Sequence, residues 1–254
     1  MFNFNGGPGG GGNPNRGFYN PFGGRQGYGE TRGWANPTMQ GAISLPEKVM
    51  GLTCLLVLCA LGGILLGGAG LNTTAAGGGI LWFIAMIVLV MATQALAARP
   101  GIGMVLFLAF GVVTGIAVAP LLQLIALNNE QYIVYEAVAA TAATTGGITL
   151  YARTTSRDFS RIGGWLFAAL IGVVVAMVIS IFVQSTAFQI FISAAACVVF
   201  SLFLLYDIQR VTTTGNAPGN AIRMALKIYL DVFNLFLNLL MILMMTQGGG
   251  RSRR

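Results

Sequence analysis

One stretch near the end of the chain restricts what the rest can be. Residues Arg223 to Gln247 form an apolar run long enough to cross a bilayer as a helix, which takes about 20 residues. Asp231 stands inside it. A charged side chain at bilayer depth costs roughly 2.5 to 3.5 kcal/mol on insertion scales, so such residues are seldom present without a role. Lys227, Asp231, Asn234 and Asn238 follow one another at spacings of 4, 3 and 4, which places them on one helical face. A polar stripe of this kind cannot face lipid and must face other helices or water. This helix is therefore expected at the centre of a bundle.

A second carboxylate answers it. The preceding apolar stretch closes with Phe203-Leu204-Leu205-Tyr206-Asp207, and the link between the two is polar. Two carboxylates brought together where water is scarce cannot both ionise cheaply and tend to share a proton. Such a pair could sense pH or hold a cation.

Composition agrees with a membrane setting. Of 254 residues, 56% are hydrophobic and 8% charged, whereas a soluble domain carries roughly 25% charged residues. The chain reads as an all-α, polytopic membrane protein. Its formal net charge of +7 sits in tails and loops, as the positive-inside rule requires, and does not imply nucleic-acid binding. The chain has no histidine, which excludes His-based acid–base work, Ser-His triads and His-ligated zinc. Cys54, Cys59 and Cys197 lie in apolar stretches without a Cys-x-x-Cys spacing and read as small buried hydrophobes.

Three regions are expected. Residues 1–44, rich in Gly, Asn and Pro with interleaved aromatics and Arg16, Arg25 and Arg32, bury too little apolar surface to fold alone and read as a disordered tail. That tail is either a flexible cytoplasmic extension or a segment that docks on a partner or on lipid headgroups. Residues 45–247 form the transmembrane domain, and 248–254 a basic tail. Seven spans are expected, roughly at 49–70, 79–97, 102–126, 132–151, 163–183, 187–206 and 224–246. Gly63-x-x-x-Gly67 and Gly111-x-x-x-Gly115 have the spacing that lets helices approach closely in lipid. The run Ala139 to Gly147 in span four is also small enough for a packing face.

Arg99 follows span two; Arg153, Arg157 and Arg161 follow span four; Arg210 and Arg223 follow span six. The links after spans one, three and five carry no Lys or Arg. This asymmetry places the N-terminus in the cytoplasm, and the absence of targeting signals favours a bacterial inner membrane, with an endoplasmic-reticulum or mitochondrial inner membrane as the alternative. Arg251, Arg253 and Arg254 then fall on the far side, unless the last segment re-enters and returns. Glu136, towards the outer end of span four, either lines the far end of an ion path or sits at the interface in water. Arg99, before Pro100, is a positive-inside anchor or a salt-bridge partner for the aspartates. Asp158 reads as a solvated loop residue.

Tyr206-Asp207, followed by Leu230-Asp231-Val232-Phe233-Asn234-Leu235-Phe236, resembles the signature of the Bax inhibitor-1 family. Thr114-Gly115, Pro120, Glu136 and Arg157-Asp158-Phe159-Ser160 support the likeness, which covers about residues 47–246. The resemblance implies a seven-helix bundle with the last helix central. It also implies a pH-sensitive calcium leak channel whose sensor is an aspartate pair matching Asp207 and Asp231. A basic residue near the end of span two, matching Arg99, would latch to the first aspartate. No cofactor is implied. Ca²⁺ enters as permeant ion, held transiently by Asp207 and Asp231, with Asn234 along the same path.

Two other readings exist. Paired aspartates on neighbouring spans also resemble intramembrane aspartyl proteases, but Tyr229-Leu230-Asp231 lacks their Gly-x-Gly-Asp and no Pro-Ala-Leu follows, so no enzyme activity is expected. The family resemblance also allows a regulatory subunit acting on a partner complex, such as a membrane-anchored AAA protease.

Overall fold

The computed structural model describes residues 44–68, 78–99, 101–157 and 159–248. The expected N-terminal tail before Ser44, the C-terminal tail beyond Gly248 and Asp158 lie outside them. Seven α-helices follow in order: α1 (Leu45–Gly68), α2 (Gly78–Leu96), α3 (Ile102–Leu127), α4 (Gln131–Thr154), α5 (Gly163–Phe182), α6 (Thr186–Thr213) and α7 (Asn220–Gln247), with no strand among the described residues. Six are long and apolar enough to cross a membrane, and α2 contributes a shorter apolar run, Ile84–Leu96. Large apolar side chains such as Leu65, Val88, Phe167 and Phe182 point outward, as they do where the surroundings are lipid.

The helix at the centre is α7, which packs against α1, α2, α3, α4 and α6. It buries Leu226, Tyr229, Leu235 and Leu240. An apolar cluster including Leu56, Phe107 and Phe110 closes around its first half, and one including Ile125 and Ile133 around its second. The peripheral helix is α5, which packs on α6.

Close approach of α1 and α3 explains both glycine motifs. A side chain at Gly63 would run into the carbonyl of Val112, and one at Gly115 into the carbonyl of Ala60. Gly67 faces Ala119, and Gly111 lies against Cys59 and Leu56. The two motifs are thus two halves of one seam, where backbones touch because neither side carries a Cβ.

Several helices overrun the expected spans. Helix α1 starts at Leu45 because Glu47, three residues after Ser44, accepts the Ser44 N–H at 2.9 Å, one half of a capping box. Helix α6 continues seven residues past the expected end at 206, through Gln209, Arg210, Thr212 and Thr213. Helix α7 begins at Asn220. Hydropathy marks only the part of a helix in hydrocarbon, and these polar turns project beyond it. Gly219, at φ 82°, turns the chain into α7. Any Cβ there would meet Ala98 N at 2.6 Å, so the α6–α7 link is seated on the end of α2.

Helix α7 is one unbroken crossing. It therefore ends opposite the side where α2, α4 and α6 end, and the re-entrant alternative does not hold. Every Lys and Arg among the described residues belongs to one end of the bundle, from Lys48 and Arg99 to Arg223 and Lys227. Glu130 and Glu136 mark the other.

Candidate functional site

Asp207 and Asp231 are 5% and 7% exposed, which is rare for a carboxylate without a partner. Asp207 lies about 9 Å inside the C-terminal end of α6, and Asp231 about 16 Å beyond the start of α7, at about 1.5 Å per residue. The second figure exceeds what the expected start at 224 implied. The two helices run side by side, and the Asp207 carboxylate acts electrostatically on that of Asp231. The Oδ2 atom of Asp231 is buried and has no hydrogen-bond partner.

Two cations face the pair. Lys227 lies one turn before Asp231 on α7, and Arg210 one turn after Asp207 on α6. Arg99 is exposed and makes no salt bridge among the described residues. The expected latch between Arg99 and the aspartates is absent from this conformation; Lys227 and Arg210 occupy that electrostatic role. The basic residue that does bind the end of α2 is Arg223, whose Nε donates to Gln94 O at 3.0 Å.

The asparagines of the polar stripe are satisfied within their own helix. Asn234 Nδ2 donates to Leu230 O at 2.7 Å, and Asn238 Nδ2 to Asn234 O at 2.8 Å. Such bonds to the carbonyl one turn back let an amide enter an apolar bundle without a partner helix. The stripe lies at least partly buried in the bundle, and of its four residues only Asp231 has a buried polar atom without a partner. Glu136 is exposed, about 24 Å along the bundle from Asp231, and accepts a hydrogen bond from Gln247 Nε2 at 2.8 Å. Among the described residues no three His, Cys, Asp or Glu side chains gather as a metal site. Cys54 is exposed, contrary to the expected burial, while Cys59 and Cys197 are half-buried.

Three residues near the pair have positioning contacts that the sequence did not foretell. Tyr229, two residues before Asp231, is 3% exposed. Its hydroxyl lies 2.7 Å from Thr114 Oγ1, which itself donates to Gly111 O at 2.7 Å. Its ring meets Phe110 edge-on at 6.0 Å and stacks on Phe233 at 5.6 Å. Rotation of α7 near Asp231 is thereby fixed against α3. Gln209, two residues after Asp207, accepts from Phe159 N at 3.2 Å and donates to Arg157 O at 3.0 Å, holding the α4–α5 link on α6. Tyr206 packs its hydroxyl end on Gly163 and under Arg210, 6.0 Å from ring to guanidinium. Tyr206 therefore joins α5 to α6 rather than serving the carboxylates directly.

A buried carboxylate pair on the last two helices of such a bundle narrows the choice, and comparison with known proteins settles it. The family model described as inhibitor of apoptosis-promoting Bax1 matches residues 45–248. The chain belongs to the Bax inhibitor-1 family. An uncharacterized protein of Helicobacter pylori strain J99 is 32% identical over 163 residues, 64% of this chain and 70% of that one. Inner membrane protein YbhL of Escherichia coli K12 is 31% identical over 176 residues, 63% of this chain and 71% of its own. The Golgi anti-apoptotic protein of vaccinia virus is 33% identical over 114 residues, covering 45% and 48%. This Bax inhibitor-1 protein is an integral membrane protein, and the lipid bilayer is its surroundings.

Proposed function

We propose that this Bax inhibitor-1 protein is a pH-sensitive cation leak path, gated by Asp207 and Asp231, with Ca²⁺ as permeant ion. The observation that carries this reading is the buried, unpartnered Oδ2 of Asp231 on α7, with a second buried carboxylate, Asp207, on the adjoining helix α6. A buried polar atom without a partner calls for a specific explanation, and a proton held between the two carboxyl groups provides one. With that proton in place, one carboxyl donates to the other and ties α6 to α7. Without it, two like charges share a poorly solvated site and drive the helices apart. Lys227 and Arg210 offset part of the negative charge that the ionised pair carries. Carboxylate oxygens suit Ca²⁺, and two of them bind weakly enough to release it, as conduction requires.

In this reading the protein is a conduit and makes or breaks no bond of a substrate. Its basic end faces the cytoplasm, and the name of YbhL supports a bacterial inner membrane. The name of the vaccinia relative favours a second reading, in which the bundle acts through a protein partner. Liposomes holding the purified chain alone separate the two. Ca²⁺ release that varies with pH supports the conduit, and a chain inert without a co-purified partner supports the other.

A further inference from the structure

A large cavity lies off the proposed ion path. It encloses about 1260 Å³ at the basic end, between α1 and α4, with Ile228 and Val232 of α7 as its floor. That exceeds the range of about 300 to 1,000 Å³ typical of small-molecule pockets. Helices α1 and α4 do not touch each other, so the slot opens sideways to the surroundings of the bundle. Neither Asp207 nor Asp231 lines it. Arg153, Arg157 and Arg210 do, and three positive charges would repel a cation.

The cavity has two chemically distinct halves. At its mouth stand the three arginines, and among the described residues none of them makes a salt bridge. The loop that carries Arg157 is held in place by Gln209 through two hydrogen bonds. Deeper in, the α1 wall presents Val57 and Leu58, 42% and 63% exposed. From Arg153 to Thr145 the slot runs about 12 Å along α4, and Thr145 Oγ1 is buried there with no hydrogen-bond partner. A cationic mouth at the bilayer surface, leading into a lateral apolar slot, is complementary to a molecule with an anionic head and a hydrocarbon tail. Basic pockets between transmembrane helices at this level bind anionic headgroups.

The geometry points to a binding site for one anionic phospholipid, its phosphate among Arg153, Arg157 and Arg210 and one acyl chain between α1 and α4. The site bridges α4, α6 and the α4–α5 link beside the aspartate helices, and its binding test does not require that the chain conduct ions.

The test is native mass spectrometry of the full chain in detergent, titrated with dioleoyl phosphatidylglycerol or dioleoyl phosphatidylcholine. The expected result is tighter binding of the phosphatidylglycerol, weakened about 30-fold in R153Q/R157Q, since each arginine near an anionic headgroup contributes on the order of fivefold. R153K/R157K keeps the charges and should restore binding to within about threefold, which separates the site from a folding defect. Equal binding of the two lipids, or phosphatidylglycerol binding unchanged in R153Q/R157Q, overturns the proposal. So does displacement of the lipid by millimolar inorganic phosphate, which would make this a site for a free anion.

Discussion

Placing a methyl group in the α1–α3 seam tests the packing that holds α3 against α1. Gly115→Ala sets a Cβ against the carbonyl of Ala60 and 2.9 Å from Gly63 Cα. Both neighbours are backbone and cannot rotate away, so the helices must part. Gly146→Ala and Gly147→Ala put the same methyl in α4 where nothing lies within 4 Å. Each change also removes a helical glycine, a gain of about 0.5 to 1 kcal/mol. That gain is common to all three variants, so their difference isolates the close approach. Overpacking costs about 1 to 3 kcal/mol. Gly146→Ala should therefore be neutral to mildly stabilising, and Gly115→Ala should fall below it by about 1 to 3 kcal/mol. Unfolding of the detergent-solubilised protein by SDS titration, followed by circular dichroism, reads this difference. Equal stabilities, within about 0.3 kcal/mol, would refute the claim that α1 and α3 meet backbone to backbone.

Other expectations follow from single contacts. Thr114 donates to Gly111 O, so the Tyr229 hydroxyl is the donor between the two. Tyr229→Phe should cost about 0.5 to 1.5 kcal/mol, whereas Thr114→Val, which orphans a buried hydroxyl, should cost about 1 to 3 kcal/mol in the same titration. Gly219→Ala should destabilise by more than the 1 to 2 kcal/mol, roughly, of a left-handed backbone, because its Cβ also meets the end of α2; Ala at Gly215, where the surroundings are open, serves as the control. Gln209→Ala should free the α4–α5 link, seen as faster hydrogen exchange or proteolysis around Arg157 to Phe159 with α7 unchanged.

Much of this arrangement is legible in the amino-acid order because bilayers impose simple patterns. An apolar run of bilayer length must be a helix, and a carboxylate inside it must face inward, so Asp231 alone places α7 at the centre. The two glycine motifs signal close packing, although nothing in their spacing says that they meet each other. What escapes is contact across long separations. Tyr229 finds Thr114 115 residues away, and Arg223 finds Gln94 129 residues away; no local periodicity encodes either. Arg99 shows the reverse failure. Its position near the end of α2 suggested a latch, but here it is exposed, and the cations near the pair are Arg210 on α6 and Lys227 on α7. Nor does the spacing of the asparagines show that each Nδ2 donates to a carbonyl one turn back in its own helix.

The most direct measurement is Ca²⁺ efflux from liposomes containing the wild-type chain and Asp231→Asn, each across about pH 5 to 8. Asparagine keeps the shape of the side chain and cannot exchange a proton in that range. The account predicts efflux that changes with pH in the wild type and a flat profile in the variant. A wild type silent at every pH, or a variant whose profile follows the wild type, would contradict it.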